Sequence, residues 1–243
     1  MGYRRDVDLE FLCNCSSEDL DALVTILIKD KDGSSRLTEE LTVNDKYKQF
    51  APDHRRYWDL IAAELQCFGA DTFATLVRGG EGVLYREVLT EVCDKMRVNY
   101  NSEAAVELIE MNLLMKVLTD SMEKMTPEDL RELANGLDLK TANFSKQAVI
   151  AAIQAGVNMS GFVAYQVAII VANAVAKAVA GRGLAVAANA GLARAISVAV
   201  GPIGWALTAL WTLKDLSGPA FRVTIPSVIQ VAFLRTSMNQ RKL

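Results

Sequence analysis

An all-α fold is what this sequence predicts, arranged as a helical bundle followed by an Ala/Gly-rich apolar helical layer. Three observations carry that expectation. Apolar residues make up 51% of the chain and aromatic ones only 7%, so the apolar content is mostly aliphatic, with alanine prominent in the second half. Alanine is the best helix former and is depleted in strands. Capping signals stand ahead of apolar residues at three- and four-residue spacing, and strand-type alternation is nearly absent. At 243 residues the chain is long enough to bury a core as one large domain or two small ones.

The first helix is signalled by "SSEDLDALVTILI", with Ser16 as N-cap, Asp19 three residues on, and Leu20, Leu23, Val24, Leu27 and Ile28 at helical spacing. "KDKDGSS" after it reads as a loop. It also invites a calcium test, because Asp30, Asp32, Gly33 and Glu39 fall at positions 3, 5, 6 and 12 of an EF-hand loop. Ile28 at position 1 offers no ligand and Lys29, Lys31 and Arg36 intrude, so a turn is expected. Next comes "DHRRYWDLIAAELQCF", whose Tyr57, Ile61, Leu65 and Phe68 share a face. "RGGEG" (78–82) matches no phosphate-binding fingerprint and Glu81 would repel an anion, so it reads as an interhelical turn.

Leu84, Val88, Val92 and Met96 form the apolar face of "GVLYREVLTEVCDKM". In "SEAAVELIEMNLLMKVL" Glu103, Glu107 and Glu110 read as a wet stripe, leaving Ile109, Leu113 and Leu118 for the core. "TPEDLRELANG" repeats the first capping device with Thr126, Pro127 and Asp129, and Gly136 suits its end. After Phe144 small residues dominate, and from Gln147 to Leu213 the only charges are Lys177, Arg182 and Arg194. The expected organisation is an N-terminal helical module (1–48), an amphipathic bundle (49–142) and an apolar helical region (143–243) closed by a helix from Pro226.

Charge divides the same way. Residues 1–146 hold 18 basic and 28 acidic side chains, whereas 147–243 hold 8 and 1, the lone acid being Asp215. A basic, apolar C-terminal part suits an anionic membrane surface or docking onto the chain's own acidic front. Its cations are too dilute for a nucleic-acid patch, so no nucleic-acid partner is expected. Asp215 and Arg222, seven residues apart around Gly218-Pro219, are expected to pair and to fix how Trp211 and the last helix close over the core.

Three apolar stretches test for membrane insertion. Val157 to Ala176 holds eight Val, Ile, Leu or Phe residues, worth about −2 to −5 kcal/mol on an insertion scale and opposed by Asn158, Gln166 and Asn173. Leu184 to Val200 is offset by Arg194, and Ala195 to Leu213 is interrupted by Gly201, Pro202 and Gly204. All three are marginal. Gln154, Asn158, Gln166, Asn173 and Lys177 project as a weakly polar stripe, which favours a buried, small-residue-packed layer.

Chemistry is sparse. Cys13, Cys15, Cys67 and Cys93 follow no redox or zinc spacing, and His54 is the only histidine, so no metal and no cofactor are expected and the thiols read as inert. "MGYRRDVDLEF" lacks the apolar run of a signal peptide, which points to a reducing cytoplasmic setting, while the basic, apolar C-terminal part leaves association with the inner membrane open. His54, Arg55, Arg56 and Glu64 are the one cluster that suggests acid–base work. With no nucleophile at recognisable spacing, the cluster is read as a polar helix face and no catalytic residue is assigned.

"HRRYWDLIAAELQCFGADT", "GVLYREVL" and the closing "AFRVTIPSVIQVAFLR" resemble the YaaW family of uncharacterised bacterial proteins, and "DLEFLCNCSSEDLDALVTIL" looks like the short helical module that opens its members. The middle segment is also distantly similar to the ubiquinol–cytochrome c chaperone domain, a helical assembly-factor fold. These resemblances imply a helical protein and bring no site residue with them. The expected function is a non-enzymatic interaction or assembly-factor-like protein with a protein partner. The alternative is a membrane-active protein whose apolar helices are sheltered.

Overall fold

A computed structural model describes residues 2–29, 40–69, 82–180 and 221–242, and apart from bridge residues Gly2 and Lys29 their regular structure is entirely helical. In chain order the α-helices are α1 (Ser17–Ile28), α2 (Asp45–Phe50), α3 (Trp58–Gly69), α4 (Tyr85–Met96), α5 (Val106–Ser121), α6 (Pro127–Gly136), α7 (Lys146–Met159), α8 (Gly161–Ala180) and α9 (Phe221–Gln240). Short 3₁₀ turns at Glu10–Asn14, His54–Tyr57 and Met122–Lys124 complete the set. The all-α expectation holds.

Both capping boxes form. Ser16 Oγ accepts from Asp19 N at 3.1 Å while Asp19 Oδ2 accepts from Ser16 N at 3.0 Å. Thr126 and Asp129 repeat the pattern at 3.2 and 2.8 Å, with Pro127 at the first helical position. The first four N–H groups of a helix have no partner within it and need such caps or water. The apolar faces also match expectation: Tyr57, Ile61, Leu65, Val92, Ile109, Leu113 and Leu118 are fully buried.

Glu110 departs from its expected place. Rather than facing solvent with Glu103 and Glu107, it is buried on the core side of α5. The closing helix departs too, because α9 begins at Phe221 and carries Pro226 inside it rather than at its start. Proline there removes one N–H and crowds the carbonyl four residues back. Burial of Val223 and Ile225 on the preceding turn offsets this, and the helix is buried without interruption from Val223 to Arg235.

α9 is thus a central helix. It lies along α8, with Tyr165 and Phe233 stacked at 6.4 Å and Gln230 Nε2 donating to Ala172 O at 2.8 Å. Helices α1, α3, α4 and α5 surround its other sides. A single buried apolar cluster runs from Leu9 to Leu234 and draws on all three expected segments.

The stretch read as one apolar span from Val157 is broken at Ser160, where α7 ends and α8 begins. Ser160 Oγ accepts from Phe162 N at 3.2 Å, capping the new helix. Gly156 permits the close α7–α8 approach, since a Cβ there would sit 3.1 Å from Val163. The expected polar stripe therefore divides: Gln154 and Asn158 are exposed on α7, Gln166 and Asn173 are buried on α8, and Lys177 is exposed. By length and composition Gly161–Val179 could cross a membrane, yet 67% of it is buried inside the folded body. The expected loop and calcium-test residues at 30–39, the first four residues of RGGEG (78–81), the stretches from Leu184 to Leu213, and Asp215 lie outside the described residues. Arg222, the expected partner of Asp215, is exposed on the first turn of α9.

Candidate functional site

The chemistry-bearing residues gather around α9 and the segment ahead of α1. Arg235 interrupts the apolar run of α9, and its Nε donates to Glu110 Oε2 at 2.9 Å with both side chains under 10% exposed. Tyr85 Oη donates to Glu110 Oε1 at 2.8 Å, so both carboxylate oxygens are engaged. Arg235 Nη2 reaches Asp8 O at 2.6 Å, and its guanidinium lies 4.4 Å from the Phe11 ring centre.

Burial pushes Glu110 above the usual carboxylate range, and Arg235 with the Tyr85 hydroxyl pulls it only part of the way back. Burial alone would lower Arg235. Glu110 outweighs it, so the guanidinium stays charged. Tyr85 is raised well above its ordinary value, first by burial, and stays a hydrogen-bond donor.

A second group of bonds extends the network. Leu84, the N-cap of α4, makes no side-chain capping bond. Asp6 supplies the cap from elsewhere in the chain, its Oδ2 accepting from Tyr85 N at 2.6 Å, where the positive end of the helix favours a carboxylate. Gln66 Nε2 donates to the same oxygen at 3.3 Å and to Arg4 O at 2.9 Å, while Gln66 Oε1 accepts from Arg4 N at 3.1 Å. Gly82 must be glycine here. A Cβ would lie 2.5 Å from the main-chain carbon of Gln66, well inside contact distance.

The four residues of the expected polar cluster do not share one face. His54 is buried, its Nδ1 2.5 Å from Tyr57 Oη and its Nε2 3.5 Å from Asp21 Oδ1. Arg55 is exposed, and its backbone N–H donates to Ser17 Oγ at 3.2 Å. Arg56 is exposed over Phe50 and lies 3.8 Å from Asp53. Glu64 is buried elsewhere, where both its oxygens accept from Glu40 N at 3.3 Å. Asp59, one turn from Arg55, pairs with Lys46 at 3.1 Å. Sequence reading missed Asp6, Gln66, Tyr85, Glu110 and Arg235. The available signal was the charge of Arg235 inside "VIQVAFLR".

Three of the four thiols are chemically quiet. Burial pushes Cys15 and Cys93 up to about 12 and Cys67 to about 11, so none of the three is a thiolate near neutral pH. Among the described residues no three His, Cys, Asp or Glu side chains are grouped to hold a metal ion.

Two family models match the chain. A domain of unknown function, DUF3944, covers residues 3–37, and the ubiquinol-cytochrome C chaperone model covers residues 53–230. The second match reaches past the middle segment into α9. A UPF0174 protein of Helicobacter pylori strain J99 is 47% identical over 241 residues, covering 99% of this chain and 95% of that protein. The UPF0174 protein YaaW of Escherichia coli K12 is 34% identical, with 98% of each chain covered. No solved structure matches the chain. Similarity of this extent along nearly the whole length places the chain in the UPF0174 family, alongside YaaW.

Proposed function

We propose that this chain is a non-enzymatic, assembly-factor-like protein that binds a client polypeptide in the cytoplasm, in contact with the inner membrane surface. The observation that carries the reading is the ubiquinol-cytochrome C chaperone match from α3 into α9. The chemistry of the interior supports it. Glu110, Arg235, Tyr85, Asp6 and Gln66 are engaged with one another and with the backbone, and the three shifted thiols move away from reactivity.

A second reading, a membrane-active protein with sheltered apolar helices, rests on the length and composition of α8. Affinity purification of the full chain from soluble and membrane fractions separately tests both. An assembly factor brings down a polypeptide at a fixed ratio, and alkaline carbonate releases it from membranes. Retention in the carbonate pellet, with protease-protected fragments from residues 157–213, would overturn this in favour of the second reading.

A further inference from the structure

The segment from Tyr3 to Leu12 is bound by the rest of the protein as a short peptide is bound by a receptor. It is irregular from Tyr3 to Asp6, turns there with Leu9 N and Glu10 N donating to Asp6 O at 3.0 and 3.1 Å, and runs into the 3₁₀ turn Glu10–Asn14. Gln66 offers its side-chain amide to the backbone of Arg4, accepting from the N–H and donating to the carbonyl. Arg235 takes the carbonyl of Asp8, and Arg4 Nη1 reaches Gly82 O at 3.4 Å. The first two of these contacts read main chain, whatever side chains it carries.

Selectivity lies at three other positions. The Asp6 carboxylate fills the uncapped start of α4 and bonds to Gln66. Leu9 and Leu12 are fully buried in the common apolar cluster. Main-chain bonds that give affinity, with side-chain positions that give specificity, are a division of labour known from peptide recognition. Occupant and receptor are also modular. Residues 3–12 lie within the match to one family model, and Gln66, Gly82, Tyr85 and Glu110 within the match to another.

We infer that the cleft formed by Gln66, Gly82, Tyr85 and Arg235 is a peptide-binding site whose resident occupant is Tyr3–Leu12. It takes from a client a segment of the same chemistry: a short stretch of irregular backbone that turns at a carboxylate-bearing residue, with leucines three and six positions after it. The inference rests on the client-binding reading above and names where and what that client contributes. An incoming segment of this kind replaces the resident one bond for bond and leucine for leucine, so exchange requires no new cavity.

The test uses the full chain and a fluorescein-labelled peptide with the sequence of residues 3–12, YRRDVDLEFL. A D6A/L9A variant weakens the resident segment and leaves the cleft intact. Fluorescence anisotropy should show the peptide binding this variant at least tenfold more tightly than wild type. Adding Gln66→Ala, or replacing the first of the peptide's two aspartates, the one corresponding to Asp6, with alanine, should remove at least tenfold of that gain. Equal binding to wild type and to a folded D6A/L9A variant, or no binding to either, would overturn the inference.

Wild-type hydrogen exchange gives a second check that needs no variant. Amides of residues 4–12 should exchange through a smaller opening than those of α4, α5 and α9. Exchange of this segment only by global unfolding would sink the idea. A client that co-purifies but is not competed by the peptide also overturns this site while leaving the client-binding reading intact. Peptide binding with no co-purifying client would do the reverse.

Discussion

Arg235 shows how one side chain decides the arrangement of a whole helix. It ends a nearly unbroken apolar run, and once that run is buried its charge needs a partner. Glu110, 125 positions away, supplies it at 2.9 Å. Removing either partner leaves the other buried without its counter-charge, so Arg235→Met and Glu110→Leu should each cost about 3–5 kcal/mol. The double replacement should cost much less than the two single losses together, and urea melts of the three variants measure the coupling. Additive losses would count against the pair. The acid was the illegible half: Glu103, Glu107 and Glu110 recur at helical spacing, and only a distant residue sets Glu110 apart. Ser227 poses the opposite case. Its Oγ is buried beside Pro226 with no hydrogen-bond partner among the described residues, so Ser227→Ala should stabilise by up to about 1 kcal/mol in a thermal or urea melt.

Helix ends were more legible than helix surroundings, because capping is local chemistry. Ser16 with Asp19 and Thr126 with Asp129 lie three residues apart, and both boxes form. The Ser160-Gly161 break was equally local but stood inside an apolar stretch long enough to span a bilayer. The start of α9 was not legible, because burial of Val223 and Ile225 extends the helix through a proline that ordinarily marks a boundary. Asp19 also joins two elements, its oxygens accepting from Arg241 Nη1 and Nη2 at 2.8 and 2.7 Å and so holding the end of α9 to the start of α1. Burial alone would raise Asp19, but Arg241 and the Ser16 cap outweigh it and hold the carboxyl below its usual range. A depressed carboxylate stabilises the fold above the unfolded-state pKa of about 4 and ceases to do so as pH falls through the folded-state value. Arg241→Ala should therefore cost less than about 1 kcal/mol at pH 7, since the pair is partly exposed, with the cost shrinking as Asp19 protonates. An NMR titration should show the Asp19 pKa rising in the variant; an unchanged value would discard the linkage.

At the scale of the molecule, the shift in composition after Phe144 marks a change of role within a shared core. Among the described residues of the second part, α8 and α9 are apolar because they pack inside the front helices, and their buried positions exclude most charges. A unit that folds alone needs a core of its own. Here the cluster joins Leu9, Val92, Ile170 and Ile229, and Arg235 ties the N-terminal segment and α5 to α9. The sequence could show which residues are apolar, but the pairing of α9 with helices more than a hundred residues earlier depends on topology that periodicity does not encode. The consequence is cooperative unfolding of the middle and last segments. Cys93 is fully buried in α4 and its thiol is pushed up to about 12, so a thiol reagent reaches it in reactive form only when the core opens. Far-UV circular dichroism reports the helices of both segments. With increasing urea, loss of Cys93 protection and loss of helical signal should share one midpoint, because opening α4 uncovers α9. A Cys93 transition well below the main helical one would mean that α8 and α9 persist without the front bundle, and would refute the shared core as the unit of folding.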